Sequence, residues 1–512
     1  MKMNFWKKGC TLAAMMAITV GAQAKVVMNS LFNHHCVLQR NANVPVWGTA
    51  NDGEKITVTF NGQTVSTVAQ QGKWMVQLAP MKAGGPYEMV VKGDNTLTLT
   101  DVLVGEVWLC SGQSNMGFPL RSLRPIGNNA TLASLLQEAQ TLSQIRQFKV
   151  PLGKAIPQPL EDVKGKWTVC DSLTAKDFSA VAFFFIRDVY RHLKIPVAII
   201  NSSYGGTQCE NWLDRALLET DADMQKIITN YEKALRDFPT KLEEYAAKEP
   251  ALWVKFREDS ANAVAQNKPL PRKPAAPTSP SERGGVGGLY NSMIKPLVPY
   301  AIKGVIWYQG EANSSRGKEY RKLFPLLIGN WRQQWNAPEL PFFFVQIPGW
   351  KNHFPEMKEA QLLTWKKTPN TGMAVAFDAD DTLDVHPGNK QPIGERLALI
   401  AKALVYKEKI EYSGPVYESF VATKDDAIEL TFSHIGGGLV AKDGAELKDF
   451  TICGSDKVFV PAKAIIKGKK VLVFSELVKK PVAVRYGWRL CPQGNLYNVE
   501  GLPASPFRTD VD

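Results

Sequence analysis

Five near-continuous apolar runs constrain the fold of this chain more than any other feature of it. EVWLC at 106–110, VAIINSS at 197–203, GVIWYQ at 304–309, FFFVQI at 342–347 and MAVAFD at 373–378 lack polar alternation, as strands buried on both faces of a parallel sheet must. Amphipathic stretches separate them, among them Ala182–Leu193, Phe324–Trp335 and Ile393–Val405. Strand and helix in alternation predict a doubly wound α/β domain over 101–408. With 512 residues the chain exceeds what one core usually holds, so further domains are expected. Residues 25–100 read as short alternating strands broken by turns, an N-terminal β-sandwich. Residues 409–512 return to short strands, a C-terminal β domain. The segment 213–288 reads as an insertion, helical and charged at first, then rich in Pro and Lys as a linker or lid would be.

The first 24 residues place Lys2, Lys7 and Lys8 ahead of a short apolar run closing on Ala22-Gln23-Ala24. This is the pattern of a secretory signal peptide cleaved after Ala24, and the run is too short for a membrane span. A periplasmic or secreted protein is expected. The net charge of +12 falls by the three leader lysines to +9, a moderate and scattered excess without the aromatic-interleaved basic stripe of nucleic-acid binders. The remaining six cysteines are far apart and form no CxxC pair, so neither a zinc ribbon nor a disulfide scaffold is indicated.

In a parallel sheet, chemistry collects in loops leaving the carboxyl ends of strands. The loop after EVWLC carries Ser114, beside glycine and entering a helix, where backbone N–H groups can stabilise an oxyanion. That suits a nucleophile, although a capping serine has the same look and Ser111 competes for the role. No GxSxG elbow occurs, which counts against an ordinary α/β-hydrolase. After VAIINSS comes Tyr204-Gly205-Gly206-Thr207, where adjacent glycines admit a close ligand and expose an N–H, or simply turn the chain. After GVIWY comes Gln309-Gly310-Glu311-Ala312-Asn313, with an amide placed to donate into the same pocket.

A serine nucleophile needs a base. His192 lies in an amphipathic helix, His34 and His35 in the N-terminal module without an acidic partner nearby, His434 in the C-terminal one, and His353 in a loop without a close acid. His386 remains, in Asp378-Ala379-Asp380-Asp381-Thr382-Leu383-Asp384-Val385-His386-Pro387, where a neighbouring carboxylate can fix its tautomer. A divalent-cation site is the competing reading of this acidic run, but it lacks a second histidine and regular ligand spacing.

VGEVWLCSGQSNM, YGGT, KGVIWYQGEAN and DVHPGNKQPIGERLA together resemble the four blocks of the SGNH (GDSL-like) hydrolases, and within them the sialate O-acetylesterase family, which is akin to bacterial acetyl-xylan esterases. VLQRNANVPVWG and NLYNVEGLPASPFRTD look like this family as well. The resemblance implies an SGNH-type, flavodoxin-like sheet and a metal- and cofactor-free serine esterase. By position it implies Ser114 as nucleophile, His386 as base, and an oxyanion hole from the Ser114 and Gly206 N–H groups with the Gln309 side chain. Many SGNH enzymes carry the acid three residues before the histidine, where this chain has Leu383. The acid is then Asp384, with Asp381, Asp378 or a backbone carbonyl as alternatives. Tyr204, Trp307, Tyr308 and Glu311 are expected to contact substrate, with Trp212 flanking them, although core packing accounts equally well for the tryptophans. The implied substrate is an acetylated sugar, foremost 9-O-acetylated sialic acid; an acetylated polysaccharide such as xylan and an inactive carbohydrate-binding protein are the other readings. Oligomeric state is not legible.

Overall fold

The computed structural model describes residues 25–125, 127–379, 381–444 and 446–510; the expected leader and Asp380 lie outside the described residues. Its central sheet is built from β1 (Thr96–Gly112), β2 (Ile145–Lys149), β3 (Trp167–Val169), β4 (Val197–Ser203), β5 (Gly304–Tyr308), β6 (Phe342–Val345) and β7 (Thr371–Ala374), in the order β3-β2-β4-β1-β5-β6-β7. All neighbours are parallel except β3, which returns antiparallel on β2. β2 and β3 escape the sequence reading because IRQFK and WTV are short and carry polar residues.

The buried runs feed two separate cores. On one face Trp108, Cys110, Ile306 and Phe343 pack with α3 (Ala180–Leu193) and α8 (Gln391–Leu404). On the other, Leu109, Val305, Phe342 and Phe344 pack with α6 (Gly317–Gln334) and α7 (Pro355–Lys367). Period-2 side chains with a helical layer on each side define the doubly wound fold. Between β1 and α3 lie two short helices, α1 (Ser114–Gly117) and α2 (Leu132–Ala139); α4 (Arg215–Glu219) and α5 (Gln225–Ala265) fill the insertion, which has no regular structure from 267 to 279.

The expected module boundary at 100/101 falls inside β1. Up to Val104 this strand pairs antiparallel with Gly84–Lys92 of the N-terminal sheet, and from Glu106 it runs between β4 and β5. A bulge between Leu99 and Val102, with Asp101 at φ +55, interrupts the N-terminal pairing ahead of the change of sheet. The bulge lets one strand bend from a half-exposed sheet into a fully buried one. The N-terminal module keeps the alternation expected of it, with Val44, Val46, Ile56, Val58, Phe60 and Val76 buried. It is joined to the α/β domain by Tyr300 Oη donating to the Val37 carbonyl and Trp167 Nε1 to that of Leu31, both at 2.8 Å. The C-terminal module folds mainly as two four-stranded sheets and braces α7 and β6: Arg508 pairs with Glu359, and Gln346 Nε2 donates to Ser505 Oγ at 2.8 Å.

No helix among the described residues is long and apolar enough to cross a membrane. The six cysteines of the described residues are free, and burial pushes the Cys36 and Cys170 thiols up to about 12.

Candidate active site

Register brings the three expected loops to one level. Ser203 at the end of β4 and Tyr308 at the end of β5 both pair with Gly112 at the end of β1. The chain crosses from one side of β1 to the other between β4 and β5, so their carboxyl ends flank the topological switch point. Two backbone bonds knit the loop starts: Gln113 N donates to the Tyr308 carbonyl at 2.9 Å and Tyr204 N to that of Gly112 at 3.0 Å. Gly112 is required here. Its φ is +131, and a Cβ would sit 2.2 Å from the Tyr308 oxygen.

Past that point α1 begins, with Ser114 half-buried at its first position. His386 Nε2 lies 2.7 Å from Ser114 Oγ. Both line an open cleft of about 550 Å³, together with Arg124, Lys149, Asn201, Ser203, Gly205 and Asp384. An imidazole at this distance can take the hydroxyl proton as the oxygen attacks a carbonyl carbon. Burial, then the Lys390 cation, hold the imidazole below its usual 6.5, so it is an unprotonated acceptor at neutral pH.

The acid is less tightly placed. Asp384 Oδ1 lies 3.9 Å from His386 Nδ1, beyond hydrogen-bond reach, and accepts the His386 backbone N–H at 2.8 Å instead. Its Oδ2 is held by Arg124 at 2.6 Å. Burial raises this carboxyl, but the His386 N–H and Arg124 outweigh it and leave it below the ordinary range. The competing acids are engaged elsewhere. Asp378 is forked by Arg396 at 2.6 and 2.7 Å and touched by Tyr497, while Asp381 caps its own turn through Leu383 N. Asp378, Asp381 and Asp384 therefore have separate partners; no group of three or more metal-binding side chains occurs among the described residues.

Several expectations are corrected. The Gln309 side chain is not aimed at the cleft: it is fully buried, and its Nε2 donates to the Thr207 carbonyl and Asn313 Oδ1 while Tyr320 donates to its Oε1. It braces the loops from behind. In the glycine pair a Cβ on Gly205 would fall 3.3 Å from the Ser114 Cβ and one on Gly206 would meet the Arg283 side chain, which leaves the expectation for the Gly206 backbone N–H as it stood. Trp307, Tyr308 and Trp212 are buried in the core, and Tyr204 packs against it; none of the four lines the cleft. Glu311 is half-buried, and its Oε1 accepts from Asn115, the residue after Ser114, at 2.6 Å. His35 does have an acid, Asp101 at 2.7 Å, which the 66-residue separation hides in sequence. Among the described histidines only His386 meets a serine hydroxyl.

Sequence reasoning passed over Arg124, Lys149, Asn115, Lys390, Asn201 and Ser203. The last two stood in the quoted run VAIINSS, where a polar tail on a buried strand was the available signal; Arg124 and Lys149 carried none.

A family model described as carbohydrate esterase, sialic acid-specific acetylesterase, matches residues 279–402. The mouse sialate O-acetylesterase is 30% identical over 94% of both chains, and its human counterpart 29% identical over 93% of this chain and 91% of its own. The chain belongs to the sialate O-acetylesterase family. The crystal structure of a carbohydrate acetylesterase from Xanthomonas citri superposes with a TM-score of 0.77 at 33% identity, covering 95% of this chain and all of that one. The family likeness thus spans both flanking β modules as well as the α/β domain.

Proposed function

We propose that this protein is a carbohydrate O-acetylesterase of the sialate type, acting through a serine acetyl-enzyme. The observation that carries the reading is the Ser114 hydroxyl 2.7 Å from the His386 imidazole, in a cleft at the switch point of the sheet. Ser114 Oγ attacks the acetyl carbonyl carbon while His386 Nε2 takes the hydroxyl proton. The tetrahedral oxyanion is met by backbone N–H groups of Ser114 and the Gly205-Gly206 pair. With Gln309 engaged elsewhere, Asn201 is the cleft-lining amide able to supply a side-chain donor, since its Oδ1 already accepts from Ser203 Oγ at 2.7 Å. Collapse of the intermediate breaks the ester C–O bond, and the sugar oxygen leaves with the proton from His386. Water, deprotonated by the same imidazole, then releases acetate and restores the serine. Asp384 stabilises the imidazolium formed in each half-reaction.

Two features favour an acidic sugar. Lys149 lines the cleft with no ion pair among the described residues, and Arg124 adds a second cation beside His386. A sialic acid carboxylate would find a charge partner there; a neutral xylan residue would not. Acetate release from 9-O-acetylated sialic acid and from acetylated xylan oligosaccharides tests the reading. Turnover of the first at the higher kcat/KM is expected, the reverse order overturns the sialate assignment, and no acetate from either overturns the esterase. The leader pattern at 1–24 further supports export to the periplasm or beyond, which N-terminal sequencing of the native protein checks: a start at Lys25 is expected.

A further inference from the structure

Directly behind Ser114 lies a buried polar cluster that the acyl-transfer steps do not use. Asn115, fully buried, reaches three loops at once. Its Nδ2 donates to Glu311 Oε1 at 2.6 Å, from the loop after β5, and to the carbonyl of Val385 at 3.0 Å, the residue preceding His386. Its Oδ1 accepts from Lys390 Nζ at 2.5 Å, just ahead of α8. Lys390 is also buried, its ammonium 5.1 and 5.3 Å from the ring centroids of Phe118 and Tyr308. Glu311 Oε2 is buried without a hydrogen-bond partner among the described residues.

Well-packed apolar residues of similar volume hold loops together at least as well as a buried ion cluster does. A cation and a carboxylate kept out of water one residue from the nucleophile therefore call for a reason beyond packing. We propose that Asn115, Glu311 and Lys390 form a positioning cluster that ties the His386 loop to the Ser114 helix and keeps the imidazole in its unprotonated, proton-accepting form. The inference rests on the roles assigned above to Ser114 and His386.

The electrostatics run in the required direction. The charges facing His386 are Lys390 from the start of α8, Arg124 from the segment after α1, and Asp384 from its own loop; the two cations disfavour the imidazolium and Asp384 favours it. Facing Lys390 are Glu311, Asp384 and Arg124. Burial brings Lys390 down to about 7, with Glu311 and Asp384 opposing, and burial raises Glu311. Removing the cation lets the imidazole protonate at higher pH, so the acid limb of activity must move up. Neutralising Glu311 lowers Lys390 further and moves the limb in the same direction by less.

The test compares wild type, Lys390→Met and the isosteric Glu311→Gln by NMR titration of the His386 ring and by the pH profile of kcat/KM on 4-nitrophenyl acetate. Expected for Lys390→Met is a rise of about half a pH unit or more in both readouts, with a roughly tenfold loss of kcat and little change in KM as the loop loosens. A folded Lys390→Met whose titration and acid limb match wild type overturns the proposal. Should that variant not fold, Glu311→Gln decides by the same criterion. The NMR titration needs no turnover, so it reads the cluster even if the esterase assignment itself fails.

Discussion

Replacing Asp384 by Asn removes the charge beside His386 while leaving an oxygen to accept the His386 N–H. The loss follows from the geometry. At 3.9 Å, two unit charges interact by about 1 kcal/mol in water and about 4 kcal/mol at an effective dielectric constant near 20. The side chains of His386 and Asp384 are 39% and 35% exposed, so the lower half of that range applies, and Arg124 at 2.6 Å from the carboxylate spends part of it. About 1–2 kcal/mol of imidazolium stabilisation remains, a fall in kcat of roughly 5- to 30-fold. A buried acid hydrogen-bonded to the imidazole would cost about 10⁴ instead. The pH profile supplies an independent sign: Asp384 favours the imidazolium, so without its charge the acid limb shifts to lower pH as the plateau falls. Steady-state kinetics on 4-nitrophenyl acetate between pH 4.5 and 9 read both quantities. A loss near 10⁴ would show that Asp384 closes onto Nδ1 during catalysis, and an unchanged plateau would remove it from the mechanism.

Ser114→Ala should lower kcat by about 10⁴ or more with an unchanged circular dichroism spectrum; retained turnover refutes the nucleophile. In the wild-type enzyme the acid limb of kcat/KM should lie below 6.5, because burial and Lys390 lower the imidazole, and activity is lost as falling pH protonates it. Lys149→Ala should raise KM for an acetylated sugar bearing a carboxylate several-fold, in a salt-sensitive way, and leave KM for 4-nitrophenyl acetate alone. Trp307→Ala should cost about 3–5 kcal/mol in urea unfolding, since the ring packs among Trp212, Phe324, Trp331 and Phe342, whereas a folded Trp307→Phe should keep its KM for sugar, contrary to a stacking role.

What the sequence makes legible depends on whether the interaction is local. The buried strands announce themselves because a parallel sheet covered on both faces tolerates few polar residues, and Ser114 and His386 can be found because their loops start at the ends of such strands. Side-chain direction is not local. Gln309 and Trp307 stand in the same motif as Glu311, yet whether each faces the cleft depends on the twist of β5 and on partners such as Thr207 and Tyr320, 102 and 11 residues away. The cations obey the same logic at longer range: Arg124 reaches Asp384 across 260 positions and Lys390 reaches Asn115 across 275. A motif therefore identifies which loops meet at the switch point, whereas the charges that tune the imidazole emerge only once the register of Gly112 against Ser203 and Tyr308 has brought those loops together.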